Sequence, residues 1–272
     1  MDERAIGVFD SGLGGLTAVR ELRRILPQEN IVFFGDTGRV PYGSRSPEVI
    51  RKYAAECMRF LEKQNVKMII VACGTVSSVL GEDMGKGFSV PCMGVVKPAV
   101  KAAAAATKNE KIGLIATAAT VASRSYEKLT KNLLPHAEFT AKACPLFVPL
   151  VENGYSGADC EVTRLVAKDY LSAFDGKDID TLILGCTHYP LLYNLIDKLT
   201  GYRLMLIDAG GEAAVAAKEF LEENGLLSSG QSGKMKFFVT DKIEGFTKLG
   251  KEFLGEELCN VTRLDPEELT TR

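Results

Sequence analysis

Residues 68–75 read MIIVACGT and residues 181–188 read TLILGCTH. Each is a short, unbroken apolar run that closes on small and hydroxyl side chains, the pattern of a strand buried on both faces in a parallel sheet. Each also ends by presenting a cysteine, Cys73 in one and Cys186 in the other. Working outward, AIGVFDS at 5–11 answers KIGLIAT at 111–117, and the strand before KPAVKAA answers the strand before GGEAAVAA. Short apolar runs alternate with helical patterns throughout: IGVFD then TAVRELRRIL, IVFFGD then PEVIRKYAAECMRFLEKQ, KIGLIAT then VASRSYEKLTKNLL, RLMLIDA then GEAAVAAKEFLEE. This rhythm predicts βαβ units. The expected fold is α/β, two similar domains each with a mostly parallel sheet flanked by helices, with the last strand KMKFFVT and a helix around EGFTKLGKEFL closing the chain. Ligands of open α/β sheets bind outside the carboxyl ends of the strands, so two facing domains put the two thiols on opposite walls of one cleft.

The bulk numbers narrow the function. The chain has 272 residues, 46% of them hydrophobic, and a formal charge of −2. No basic stripe is available to neutralise a phosphate backbone, which argues against nucleic acid as a partner. MDERAIGVFD lacks the layout of a secretory signal, and no apolar run approaches the ~18 residues of a membrane span, so a cytoplasmic protein is expected. The seven cysteines are odd in number and contain no CxxC pair, and His136 and His188 are the two histidines. Neither a disulfide framework nor a metal centre is expected. Cys57, Cys92, Cys144 and Cys259 read as small packed hydrophobes.

Cys73 and Cys186 stand apart from these because their settings match. A strand-end thiol at the amide-rich start of a following helix gains thiolate character, which a base requires. Asp10 ends the first strand in VFDSGLGGLT; it reads either as a carboxylate beside Cys73 or, with Ser11, as a cap for the helix starting near Leu16. DSGLGG does not complete a dinucleotide fingerprint, since Thr17 holds the final glycine position. His188 shares a turn with Cys186 and suits proton transfer. Where His188 stands the first half has Thr75, and where Asp10 stands the second half has Ala116, so a carboxylate assists one thiol and an imidazole the other. GDTGRVPYGSRS carries Asp36, Tyr42, Gly43 and Ser44 on a loop whose amides and hydroxyls suit a small polar ligand. Glu152, taken alone, reads as a solvated residue before a turn.

Together, IGVFDSGLGGLTAVREL, FGDTGRVPYGSRS, IIVACGT, IGLIAT, PLVENG and LGCTHYPLL resemble the glutamate racemase family, within the cofactor-independent aspartate/glutamate racemase superfamily, over essentially the whole chain. The resemblance implies a first domain of about 1–97 plus 209–272 and a second of about 98–208. It implies interconversion of L- and D-glutamate without a cofactor, supplying D-glutamate for peptidoglycan, in a protein that is commonly a homodimer. Cys73 and Cys186 correspond to the two bases, Asp10 and His188 to the groups assisting them. Substrate contacts carry over to Asp10, Ser11, Tyr42, Gly43, Gly74, Thr75, Thr187 and His188, with Asp36, Ser44, Thr117 and Glu152 as supporting positions. The departure is Gly74, where the family has asparagine; the Gly74 backbone amide is expected to keep its contact or Ser77 or a water to replace the lost polar group, and restoring asparagine is expected to lower KM if the missing side chain matters. The competing expectations are a racemase of aspartate or another acidic amino acid, and a phosphate-binding module using GLGG.

Overall fold

The computed structural model describes residues 1–157 and 159–271. Among the described residues ten strands are formed: β1 (Ile6–Asp10), β2 (Ile31–Gly35), β3 (Met68–Val71), β4 (Cys92–Gly94), β5 (Lys111–Ala116), β6 (Glu138–Ala143), β7 (Thr181–Leu184), β8 (Met205–Asp208), β9 (Met235–Val239) and β10 (Val261–Arg263). The helices are α1 (Leu16–Ile25), α2 (Pro47–Lys63), α3 (Gly74–Leu80), α4 (Val96–Ala106), α5 (Ala118–Ser123), α6 (Ser125–Leu133), α7 (Phe147–Glu152), α8 (Glu161–Leu171), α9 (Tyr193–Leu199), α10 (Ala209–Glu223), α11 (Ile243–Leu254) and α12 (Pro266–Thr271).

The strands form two sheets, one ordered β10-β9-β2-β1-β3-β4 and the other β6-β5-β7-β8, and every pairing is parallel. The run β2-β1-β3-β4 in the first sheet therefore repeats as β6-β5-β7-β8 in the second. Register agrees as well: Gly7 lies opposite Ile69, and Gly113 opposite Leu182. The Ala72 N–H donates to the Phe9 carbonyl and the Gly185 N–H to the Ile115 carbonyl, both at 2.8 Å, so Cys73 and Cys186 emerge at equivalent points.

The lack of alternation in β1 and β3 has its reason in this layering. Ile6, Val8, Met68 and Ile70 point into a core shared with α1, α10 and α11, while Phe9, Ile69 and Val71 point into a second core under α2 and α3. α1 buries Leu16, Val19 and Leu22 and leaves Arg23 and Arg24 in its last turn, where positive charge suits the helix dipole. α2 starts cleanly because Ser46 caps it and Pro47 needs no donor there.

Three expectations are corrected. The helix read through VASRSYEKLTKNLL is broken at Arg124, whose left-handed backbone (φ 55°) separates α5 from α6. KMKFFVT is not the last strand: NVTRL adds β10 beyond it, with Val261 opposite Phe237. Cys259 is exposed, and Cys92 only half-buried, so these two are not core thiols as Cys57 and Cys144 are. Among the described residues no helix is long and apolar enough to cross a membrane.

Candidate active site

The carboxyl ends of the two sheets meet. A β-carbon placed on Gly74 would stand 2.3 Å from the Gly185 carbonyl oxygen, and one on Gly14 would stand 2.2 Å from Thr187 Oγ1 and 2.5 Å from His188 Nδ1. Glycine at these two positions is therefore a condition of closure between the halves. That gives Gly14 of GLGG a role that needs no phosphate. Hydrogen bonds hold the same seam: Thr17 Oγ1 donates to the Thr187 carbonyl at 2.9 Å, and the Thr75 and Thr117 hydroxyls are 2.9 Å apart.

Both thiols are buried in this seam. Cys73 is the residue before α3 and shares a hydrogen bond with Ser11 Oγ at 3.1 Å. Burial pushes its thiol up to about 12, the Asp10 carboxylate adds to the rise, and Ser11 and the Val76 N–H oppose it. The thiolate expected from the helix start is thus outweighed by desolvation in the free protein. Cys186 does not stand directly before an α-helix: a 3₁₀ turn, Tyr189–Leu192, intervenes before α9, and the neighbour of its thiol is His188 Nδ1 at 3.9 Å.

Asp10 is buried. Its Oδ2 accepts from the Gly12 N–H at 2.9 Å, and its Oδ1 has no hydrogen-bond partner. It does not cap α1, whose first residue is preceded by Gly15 without any side-chain cap. Burial raises the pKa of its carboxyl, with the positive charge of His188 working the other way. Burial likewise disfavours a charged His188, but its hydrogen bonds to Cys186 and Glu152 prevail and lift the imidazole to about 10.

Glu152 corrects the sequence reading: far from being simply solvated, its Oε1 lies 2.8 Å from His188 Nε2. The Phe253 ring meets the His188 ring edge-on at 5.2 Å, bringing α11 against the imidazole. Thr187 Oγ1 lies 3.4 Å from His188 Nδ1. Gly43 packs toward Thr117, where a β-carbon would lie 3.3 Å from the Thr117 Cβ.

Other expected positions serve differently. The Tyr42 hydroxyl is buried and donates to Asp36 Oδ2, so any ligand contact from Tyr42 comes from its backbone. Asp36 is itself buried beneath the loop, and Ser44 is solvent-exposed. Ser77 does not stand in for an asparagine at 74: its Oγ accepts from the Val96 N–H at 3.3 Å and lies against Gly94. Sequence reading missed Thr17, Phe253 and the acceptor role of Glu152. Their partners lie 170, 65 and 36 residues away, with no local pattern to mark them.

Two facing parallel sheets that present matched strand-end thiols, one beside a carboxylate and the other beside an imidazole, are the arrangement of an enzyme suited to acid–base chemistry. The chain belongs to the Asp/Glu/Hydantoin racemase family, which it matches over residues 13–217. It is 42% identical over 268 residues to a glutamate racemase of Geobacter metallireducens, covering 98% of both chains. Among solved structures it resembles a glutamate racemase isoform of Bacillus anthracis, with TM-score 0.93, 36% identity and coverage of 97% of this chain and 98% of that one. It also resembles the glutamate racemase of Francisella tularensis in complex with D-glutamate, with TM-score 0.91, 38% identity and coverage of 98% and 100%.

Proposed function

We infer that this protein is an isomerase that interconverts L- and D-glutamate and so supplies D-glutamate for peptidoglycan synthesis. The observation that carries the reading is the pair Cys73 and Cys186, set at equivalent strand ends on the two sides of one closed seam. A Cα proton beside a carboxylate and an ammonium is very weakly acidic. Its removal needs an aligned base and preorganised donors for the carbanionic state. A single base would return the proton to the face it left, whereas two opposed thiols invert the centre.

In this reading Cys73 removes the proton of D-glutamate and Cys186 that of L-glutamate, and the opposite thiol returns a proton to the other face. Cys73, held as the neutral thiol by burial, stands ready as a donor. Asp10 assists it through the unpartnered Oδ1, and His188, backed by Glu152, assists Cys186. Ser11, Thr75, Thr117, Thr187 and the backbone of Tyr42, Gly43 and Gly74 line the substrate's place. The cleft separates a unit of about residues 1–97 plus 209–272 from one of about 98–208. This division is supported by the sheet membership of β1–β4, β9 and β10 on one side and β5–β8 on the other. A cytoplasmic homodimer completes the proposal, its assembly to be tested by light scattering.

The deciding experiment is incubation of the purified protein with enantiopure L- or D-glutamate, and separately with aspartate, followed by circular dichroism. Convergence to zero signal from both glutamate enantiomers is expected. Turnover of aspartate alone, or of neither amino acid, would overturn the reading.

A further inference from the structure

Beneath the loop that carries Tyr42 and Gly43 lies a buried charged cluster that the proton transfers do not use. Asp36, just after β2, receives three donors: Arg39 Nε at 2.7 Å, Thr240 Oγ1 at 2.8 Å and the Tyr42 hydroxyl. Arg39 extends to α2, where Nη1 meets Glu56 Oε2 at 2.5 Å and Nη2 meets the Cys57 sulfur at 3.4 Å. Its guanidinium also lies over the Tyr53 ring, 4.1 Å from the centroid. The side chains of Arg39, Asp36 and Glu56 are only 12%, 0% and 9% exposed. From the other side, the segment after β9 grips the same loop: the Gly38 N–H donates to Thr240 Oγ1 at 2.8 Å, and the Asp241 N–H to Thr37 Oγ1 at 2.9 Å.

Such a cluster is a poor device for stability alone. Taking one guanidinium and two carboxylates out of water carries a desolvation cost for each ion, and a well-packed apolar set often serves stability as well or better. What the cluster supplies is geometry. A guanidinium is a rigid fork, able to fix two carboxylates at set angles while its face rests on an aromatic ring. The fixed Asp36 in turn holds the Tyr42 hydroxyl, and Tyr42 is followed directly by Gly43, whose backbone abuts Thr117 on the opposite half. A Gly/Pro-rich turn would otherwise be free to sample several positions.

We propose that Arg39, with Glu56 and Thr240 as its supports, is a positioning residue for the substrate turn. It fixes Asp36, Asp36 fixes the Tyr42 hydroxyl, and Tyr42 holds the Gly43 backbone at the seam between the halves. Arg39 is bonded to neither Cys73 nor Cys186; its effect passes through Tyr42. The inference rests on reading the seam as the glutamate racemase site.

The test is steady-state racemisation of glutamate in both directions by the wild type, Arg39→Met, Tyr42→Phe and the double variant, with thermal unfolding of each. Arg39→Met and Tyr42→Phe are each expected to raise KM about tenfold with little change in kcat, the signature of lost uniform binding. The double variant should be no worse than the weaker single one by more than about twofold, since both remove the same support. Tyr42→Phe deletes one oxygen and leaves the Arg39 ion pairs in place, so it decides the matter if Arg39→Met does not fold. An unchanged KM in Tyr42→Phe, with only the melting temperature lowered, would overturn the proposal. A wild type that does not racemise glutamate would instead overturn the reading of the site, so the two failures are separable.

Discussion

Gly74 and Gly185 touch across the seam, the first residue of α3 against the residue just after β7, with no room for a β-carbon between them. The obstacle is a backbone carbonyl, which cannot rotate aside as the end of a side chain can. Asparagine at position 74 therefore forces α3 or the whole second half to shift. Misplacing a reacting group by about 1 Å can cost about a hundredfold in rate. Gly74→Asn is expected to lower kcat/KM by about that factor, and Gly74→Ala to lower it in the same direction. This reverses the expectation from sequence that asparagine would improve binding. Steady-state kinetics in both directions check it, and a lower KM in Gly74→Asn would show that the halves part without cost.

The two thiols are expected to fail separately in isotope exchange and together in racemisation. In deuterated water, Cys73→Ala should no longer wash deuterium into D-glutamate, and Cys186→Ala should no longer wash it into L-glutamate. Loss of one positioned acid–base group costs about 10²–10⁴-fold, so racemisation in either direction should fall by about 10³-fold in both variants. Mass spectrometry of the recovered substrate reads the exchange. Full racemisation by Cys73→Ala would remove Cys73 from the mechanism.

Stability should fall as the solution is made alkaline. His188 is lifted from its ordinary 6.5 to about 10, so the folded protein holds that proton more tightly than the unfolded chain does. The resulting stabilisation is complete below pH 6.5 and is lost as pH rises through 10. Cys73, raised from 9.0 to about 12, acts in the same direction only above pH 9. Urea midpoints measured between pH 6 and 10, a range set by these two shifts, should therefore decline. Glu152→Gln, which removes one of the two partners lifting the imidazole, should flatten the decline; a slope equal to that of the wild type would mean Glu152 does not hold the charge.

Far from the seam, Lys67 and Glu29 form an ion pair at 2.5 Å with neither side chain exposed. Lys67 Nζ also donates to the Asp2 and Leu226 carbonyls at 2.8 Å each, and Glu29 Oε1 accepts from the Ser228 N–H at 2.7 Å, tying the first residues and the segment after α10 to β3. Lys67→Met strands a buried carboxylate and should cost about 3–5 kcal/mol. Adding Glu29→Gln removes that charge and should recover part of the loss. Chemical denaturation measures both, and kcat at a temperature where each variant is folded should match the wild type.

Sequence alone determined the two sheets and the equivalence of Cys73 and Cys186, because these rest on local features: runs of apolar residues too short for helices, repeated in one order, each ending at the same ladder position. It also marked Asp10, the last residue of β1, and His188, on the turn that follows β7. Only the tertiary structure decided what the neighbouring side chains do. Glu152 becomes the partner of His188, Asp36 and Tyr42 turn inward to anchor a loop, Ser77 faces Val96, and Gly14 and Gly74 serve as contact points. Of these, Glu152–His188, Asp36–Tyr42 and Ser77–Val96 each form within one half, whereas the Gly14 and Gly74 contacts depend on where the second half of the chain comes to rest against the first. That placement is fixed by packing between residues tens to hundreds of positions apart, for which no spacing within a motif provides a sign.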